Sequence, residues 1–113
     1  MTLAIPPKNA ANILLIDVVW WGAFDGPSQH CVALFQDATA SALAAVDTHI
    51  NATHVTRCIT FRHKMTAGTT SATTFKVRAG SNNAGTTTFN GAAGARKFGG
   101  IAASSITITE IAA

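Results

Sequence analysis

The sequence predicts an all-β chain folded as one β-sandwich, jelly-roll-like and mostly antiparallel, with seven to eight short strands. Three observations predict it. β-branched and aromatic residues recur at a spacing of two through the second half, the segments between them are rich in Gly, Asn, Ser and Thr, and no stretch carries a sustained helical period. At 113 residues, with 48% hydrophobic and only 12% charged residues, the chain is sized for a single domain, 1–113, and is too apolar for charge-driven disorder. The 22 alanines and 16 threonines leave a polar surface made mostly of hydroxyl and amide groups.

In order along the chain, Ile13 to Trp21 is apolar at both parities, which predicts a strand covered on both sides, by a second sheet or by a neighbouring subunit. Trp20 and Trp21 must point to opposite faces of that strand, one into the core and one to a rim or interface. A loop is expected at Gly22 to Ser28, then a strand over Val32 to Gln36. Ala38 to Val46 tolerates a helix by composition, but its Thr39, Ser41 and short length favour a turn and a brief strand. From Val55 to Met65, Val55, Ile59, Phe61 and Met65 share one face while Thr56, Cys58, Thr60, Arg62 and Lys64 share the other. The segment Thr73 to Ala79 repeats the alternation, and Thr86 to Phe89 and Ser105 to Ile111 complete the set. Gly91 to Gly100 reads as a flexible connector, since it lacks the Walker order and no helix follows to aim amides at a phosphate.

The formal charge of +3 is unevenly split. Residues 1–56 carry one Lys against four Asp (1 − 4 = −3), and residues 57–113 carry seven Lys and Arg against Glu110 (7 − 1 = +6). Pairing of one half with the other, within a chain or between copies, is the simplest use of that split.

Chemistry has little to work with. The carboxylates are scattered, and Asp17 in the apolar strand is expected to turn outward or meet an arginine. His30, His49, His54 and His63 with Cys31 and Cys58 lack zinc-ligand spacing, so no metal and no cofactor are expected. Cys31 has no nucleophile turn around it, and both cysteines read as reduced. The basic residues Arg62, Lys76 and Arg78 lie at the parity opposite to Phe61 and Phe75, which separates charge from stacking and argues against nucleic acid. No run approaches the length of a membrane span, and no signal peptide is visible. The chain reads as a non-enzyme.

The strings Val32-Ala-Leu-Phe-Gln-Asp-Ala-Thr-Ala40, Phe61-Arg-His-Lys-Met-Thr-Ala-Gly-Thr-Thr-Ser-Ala-Thr-Thr-Phe-Lys-Val-Arg-Ala-Gly80 and Thr87-Thr-Phe-Asn-Gly91 are distinctive together with Phe98-Gly-Gly and Ala103-Ser-Ser-Ile-Thr-Ile-Thr-Glu-Ile111. They resemble a β-rich domain of tailed-bacteriophage virion proteins, often found at the C-terminal end of tail-fibre-like chains. The resemblance implies an oligomeric, non-enzymatic surface component of the virion, assembled in the host bacterial cytoplasm. Longer relatives carry an N-terminal stretch before the segment matching Met1. Its absence here makes a capsid decoration or cement protein the expectation, with a tail-fibre or spike tip that binds a host receptor or carbohydrate as the alternative. Expected partners are copies of the chain itself, as a homotrimer first and a dimer second, together with phage capsid or tail proteins. A host-surface glycan is the partner under the alternative. The oligomer or capsid interface is assigned to Ile13, Leu15, Val19, Trp20 and Trp21 with Arg62, Lys64, Lys76 and Arg78. Ligand contacts are assigned to Phe24, Asp25 and His30 in one loop and His49, Asn51 and His54 in another.

Overall fold

The computed structural model describes residues 1–113. Ten strands run in the order β1 (Thr2–Ile5), β2 (Ile13–Phe24), β3 (Ser28–Gln36), β4 (Ala44–Ile50), β5 (Thr56–Thr66), β6 (Thr73–Ser81), β7 (Thr87–Phe89), β8 (Gly91–Ala92), β9 (Ala95–Arg96) and β10 (Ser105–Ile111). One short 3-10 turn, Phe98–Gly100, is the only helical element. All pairings are antiparallel.

Sheet A has the order β1-β6-β3-β4 and sheet B the order β10-β2-β5. The long β2 is the spine of sheet B. One of its edges pairs with β5 from Ile13 to Ala23, while the other is shared end to end by β10, over Ile13 to Val19, and β7, over Gly22 to Phe24. Between those two partners Trp21 O accepts from Asn90 N at 2.8 Å, while Trp21 N has no strand partner on that edge, and an unpaired amide is costly. Ser104 fills the break: its Oγ accepts from Trp21 N at 2.9 Å and donates to Trp21 O at 3.2 Å.

The even residues of β2 (Leu14, Ile16, Val18, Trp20) face Val32 and Leu34 of β3 and Phe75 and Val77 of β6, with Ile59 of β5 closing the cluster. These are the buried parities of both sheets, so the two sheets pack as a sandwich around one core. Each large aliphatic side chain brought in from water contributes roughly 1.5–3 kcal/mol, and Leu14, Ile16 and Leu34 are completely enclosed.

Several elements differ from the sequence reading. β2 runs three residues past Trp21 and β3 begins at Ser28, so the expected loop shrinks to Asp25, Gly26 and Pro27. Thr2–Ile5, too short to show a period, adds to the edge of sheet A. The connector Gly91–Gly100 is not flexible chain but a tight hairpin followed by the 3-10 turn. Ala93 and Gly94 both take positive φ, 52° and 75°, the backbone a two-residue turn needs to match strand twist. At Gly91 a Cβ would collide with the Ala95 carbonyl, which restricts that position to glycine.

Candidate interaction faces

The outward parity of β2 places Ile13, Leu15, Asp17, Val19 and Trp21 in a row down the middle of the outer face of sheet B, all half-buried. The register sets Thr66, Lys64, Arg62, Thr60 and Cys58 beside them on β5, and Ile111, Thr109, Thr107 and Ser105 on β10. This is an apolar stripe between a basic border on β5 and a hydroxyl-rich border on β10. Asp17 is its one carboxylate, and Arg62 takes it in a two-pronged grip, Nε to Oδ1 at 2.6 Å and Nη2 to Oδ2 at 3.1 Å. That contact raises the guanidinium pKa further above its ordinary value. Lys64 has no side-chain partner.

At the Trp21 end the stripe continues into the turn after β9. The Trp21 and Phe98 rings lie 6.1 Å apart, and Ser104 N donates to Asn90 Oδ1 at 2.6 Å, fixing the segment against β7. Phe98 is 71% exposed and Ile101 87%. Sequence reasoning missed both, because an isolated Phe in a Gly-rich segment has no periodicity; its position between Arg96-Lys97 and Gly99-Gly100 was the only signal.

The outer face of sheet A carries a different surface. Cys31 of β3 has Asp47 of β4 on one side and Gly80 of β6 on the other. Ala33 and Gly80 keep the floor low, and an open trough of about 430 Å³ forms over them, with Gln29 and Asn82 toward one end and Phe35 and Arg78 toward the other. Arg78 lies over the Phe35 ring, 5.2 Å from its centroid, in a cation–π contact. Sequence periodicity does not single out Phe35, since the apolar run Val32 to Phe35 hides which parity faces out.

The predicted interface set therefore divides. Ile13, Leu15, Val19 and Trp21 share one face with Arg62 and Lys64, while Lys76 and Arg78 belong to the opposite sheet and face the other way. Trp20 is corrected: it is fully enclosed in the core and presents nothing to a partner. The predicted ligand residues divide too. Phe24 and His30 are corrected from loop to strand, and both are buried. Asp25, His49, Asn51 and His54 are exposed, with Asn51 Oδ1 accepting from Arg57 at 3.2 Å and His54 N donating to Phe24 O at 2.9 Å.

His30 packs between Trp20 and Phe24, ring centroids 5.1 Å and 5.7 Å away, and neither of its nitrogens has a hydrogen-bond partner. Burial holds its pKa below the ordinary 6.5. Cys31, next in sequence, points to the opposite side of the sheet and is exposed, so the two are not a common ligand pair. No group of three His, Cys, Asp or Glu side chains is placed to hold a metal ion. The arrangement offers surfaces for contact, and comparisons with known protein families and with curated proteins found no match.

Proposed function

We propose that this chain is a non-enzymatic structural protein of a tailed-bacteriophage virion, a surface decoration or cement protein of the capsid, that works by burying the outer face of sheet B against copies of itself and the shell. The observation that carries this reading is the half-exposed apolar stripe Ile13, Leu15, Val19 and Trp21, extended by the exposed Phe98 and Ile101. A contiguous apolar surface of this kind on a small folded domain marks an interaction site. Arg62 and Lys64 on its border suit an acidic neighbour, and the resemblance of the strand sequences to virion proteins supplies the setting: assembly in the host cytoplasm and residence on the particle surface.

Two measurements test it. Light scattering should find an oligomer, a trimer first, and Leu15→Glu or Val19→Glu should dissociate it by placing a charge in the stripe. Co-sedimentation with capsids should fall at high salt and on reversing Arg62 and Lys64, since exposed charge pairs are screened over about 8–10 Å. A protein that stays monomeric at high micromolar concentration and never sediments with particles overturns the reading.

The tail-tip alternative draws on the trough of sheet A, where Gln29, Asp47 and Asn82 ring an open concavity. A glycan screen decides it: saturable binding that is lost with Asp47→Ala favours the tip over the cement protein.

A further inference from the structure

The turn after β9 holds its apolar side chains out of the fold by an unusual backbone. Phe98, Gly99 and Gly100 take φ of 55°, 63° and 83°, and for a residue as bulky as Phe98 the left-handed region is a true outlier. Such strain persists where the surrounding structure imposes it, and it gathers at functional surfaces. Here it leaves an aromatic and an aliphatic side chain, Phe98 and Ile101, largely exposed within one turn, and buried apolar anchors carry binding energy when a partner supplies a pocket. Arg96 lies against Gly100, and Arg96 and Lys97 have no acidic partner.

The trough on the outer face of sheet A has the complementary character. Its floor of Cys31, Ala33 and Gly80 is small and mostly apolar, its volume is in the range that accepts a few large side chains, and Asp47 on its wall has no ion-pair or hydrogen-bond partner. Arg78, the one cation of the trough, is drawn aside over Phe35.

Charge selects which surface of a second copy the turn meets. The outer face of sheet B with its turn carries Arg62, Lys64, Arg96 and Lys97 against Asp17 (4 − 1 = +3), so a two-fold contact of this face with itself would set +3 against +3. The outer face of sheet A carries Lys76 and Arg78 against Asp37 and Asp47 (2 − 2 = 0) and so repels far less. Like charges brought together across an interface count strongly against that pairing.

We propose that the turn at Phe98–Ile101 of one copy seats in the sheet A trough of the next, with Arg96 and Lys97 toward Asp47, so that copies associate head to tail. This rests on the reading that the chain self-associates, and it names the partner surface. Such a heterologous contact closes into a ring when the rotation between copies allows and grows into a filament when it does not.

Cys31 on the trough floor supplies the test. In a Cys58→Ser background, Ile101→Cys oxidised by copper-phenanthroline in air should join position 101 of one copy to Cys31 of its neighbour, a linkage identified by peptide mass and lost when Cys31→Ser is added. Asp47→Lys and Lys97→Glu should each weaken association by about tenfold, and a chain carrying both changes should recover it, because every altered trough then meets an oppositely altered turn. Oligomers that form without the link to Cys31, or that link 101 to 101, overturn the head-to-tail contact and leave self-association standing. A monomer at every concentration overturns both.

Discussion

At the scale of single residues, His30 sets the most specific expectation. A neutral imidazole carries one N–H donor, and this one lies in the core between Trp20 and Phe24 with no acceptor. A buried donor left unpaired costs about 1–3 kcal/mol, so His30→Phe, which keeps a ring in the same apolar slot, is expected to raise stability by about 1 kcal/mol. The same residue makes stability depend on pH. Its folded-state pKa lies below 6.5, so the unfolded chain binds the proton first; the stability it permits is complete above pH 6.5 and drains away as pH falls from there toward the folded value. Urea midpoints measured from pH 8 to pH 5 should decline in the wild type and stay flatter in His30→Phe. Equal slopes would show that His30 is not the titrating group. The sequence did not disclose this: His30 stands in a polar-looking Ser-Gln-His-Cys stretch, and only the register of β3 against β6 turns it inward.

At the scale of elements, the alternation of side chains made β5, β6 and β10 legible because each has one wet face, and Arg62, Lys64, Lys76 and Arg78 mark that face plainly. β2 was legible as a doubly apolar strand for a different reason: its inner row fills the core and its outer row forms a half-buried apolar stripe. Hairpins and short edge pairings were not legible. Thr2–Ile5 is too short to show a period, the β8-β9 hairpin depends on close backbone approach at Gly91, which leaves no periodic trace, and Phe98 acquires its meaning only from the turn that lifts it. Gly22 shows how such an approach constrains the chain. A Cβ there would lie 2.7 Å from Trp20 Cζ2 and would also strike the Thr88 carbonyl across the β2-β7 pairing. Gly22→Ala is therefore expected to push β7 away and cost about 1–3 kcal/mol, the usual range for overpacking. Because Trp20 meets Phe89 of β7 edge to face at 5.8 Å, the change should also alter tryptophan near-UV dichroism. An unchanged thermal midpoint and spectrum would refute the crowding.

At the scale of the whole molecule, the two ends of the chain are held together through one carboxylate. Glu110 on β10 accepts from Lys8 N at 2.8 Å, Asn12 Nδ2 at 2.7 Å and Asn9 N at 3.4 Å, while Ala113 N donates to Asn12 Oδ1 at 3.2 Å. The segment between β1 of sheet A and β2 of sheet B is thus clasped by the last strand, and contacts this far apart in sequence form late and slowly in β-rich folds. The Asn12 amide and the two backbone amides hold the Glu110 carboxyl below its ordinary 4.5, and hydrogen bonds from Thr74 and Thr73 hold Asp37 below 3.8. For both groups the sign follows from a depressed folded pKa: their contribution is present above the ordinary value and is lost as pH falls through the folded one. Acid unfolding should then proceed in two separable ranges, the His30 range beginning near pH 6.5 and a carboxylate range beginning near pH 4.5. Glu110→Gln keeps the shape and can still accept through its amide oxygen, yet has nothing to protonate. It should therefore lower stability at neutral pH and narrow its gap to the wild type as pH drops below 4.5, leaving the upper range untouched. Thermal midpoints of the two proteins at pH 7, 5.5, 4 and 3 measure the gap directly, and a gap that persists unchanged to pH 3 would show that the clasp does not depend on the Glu110 charge.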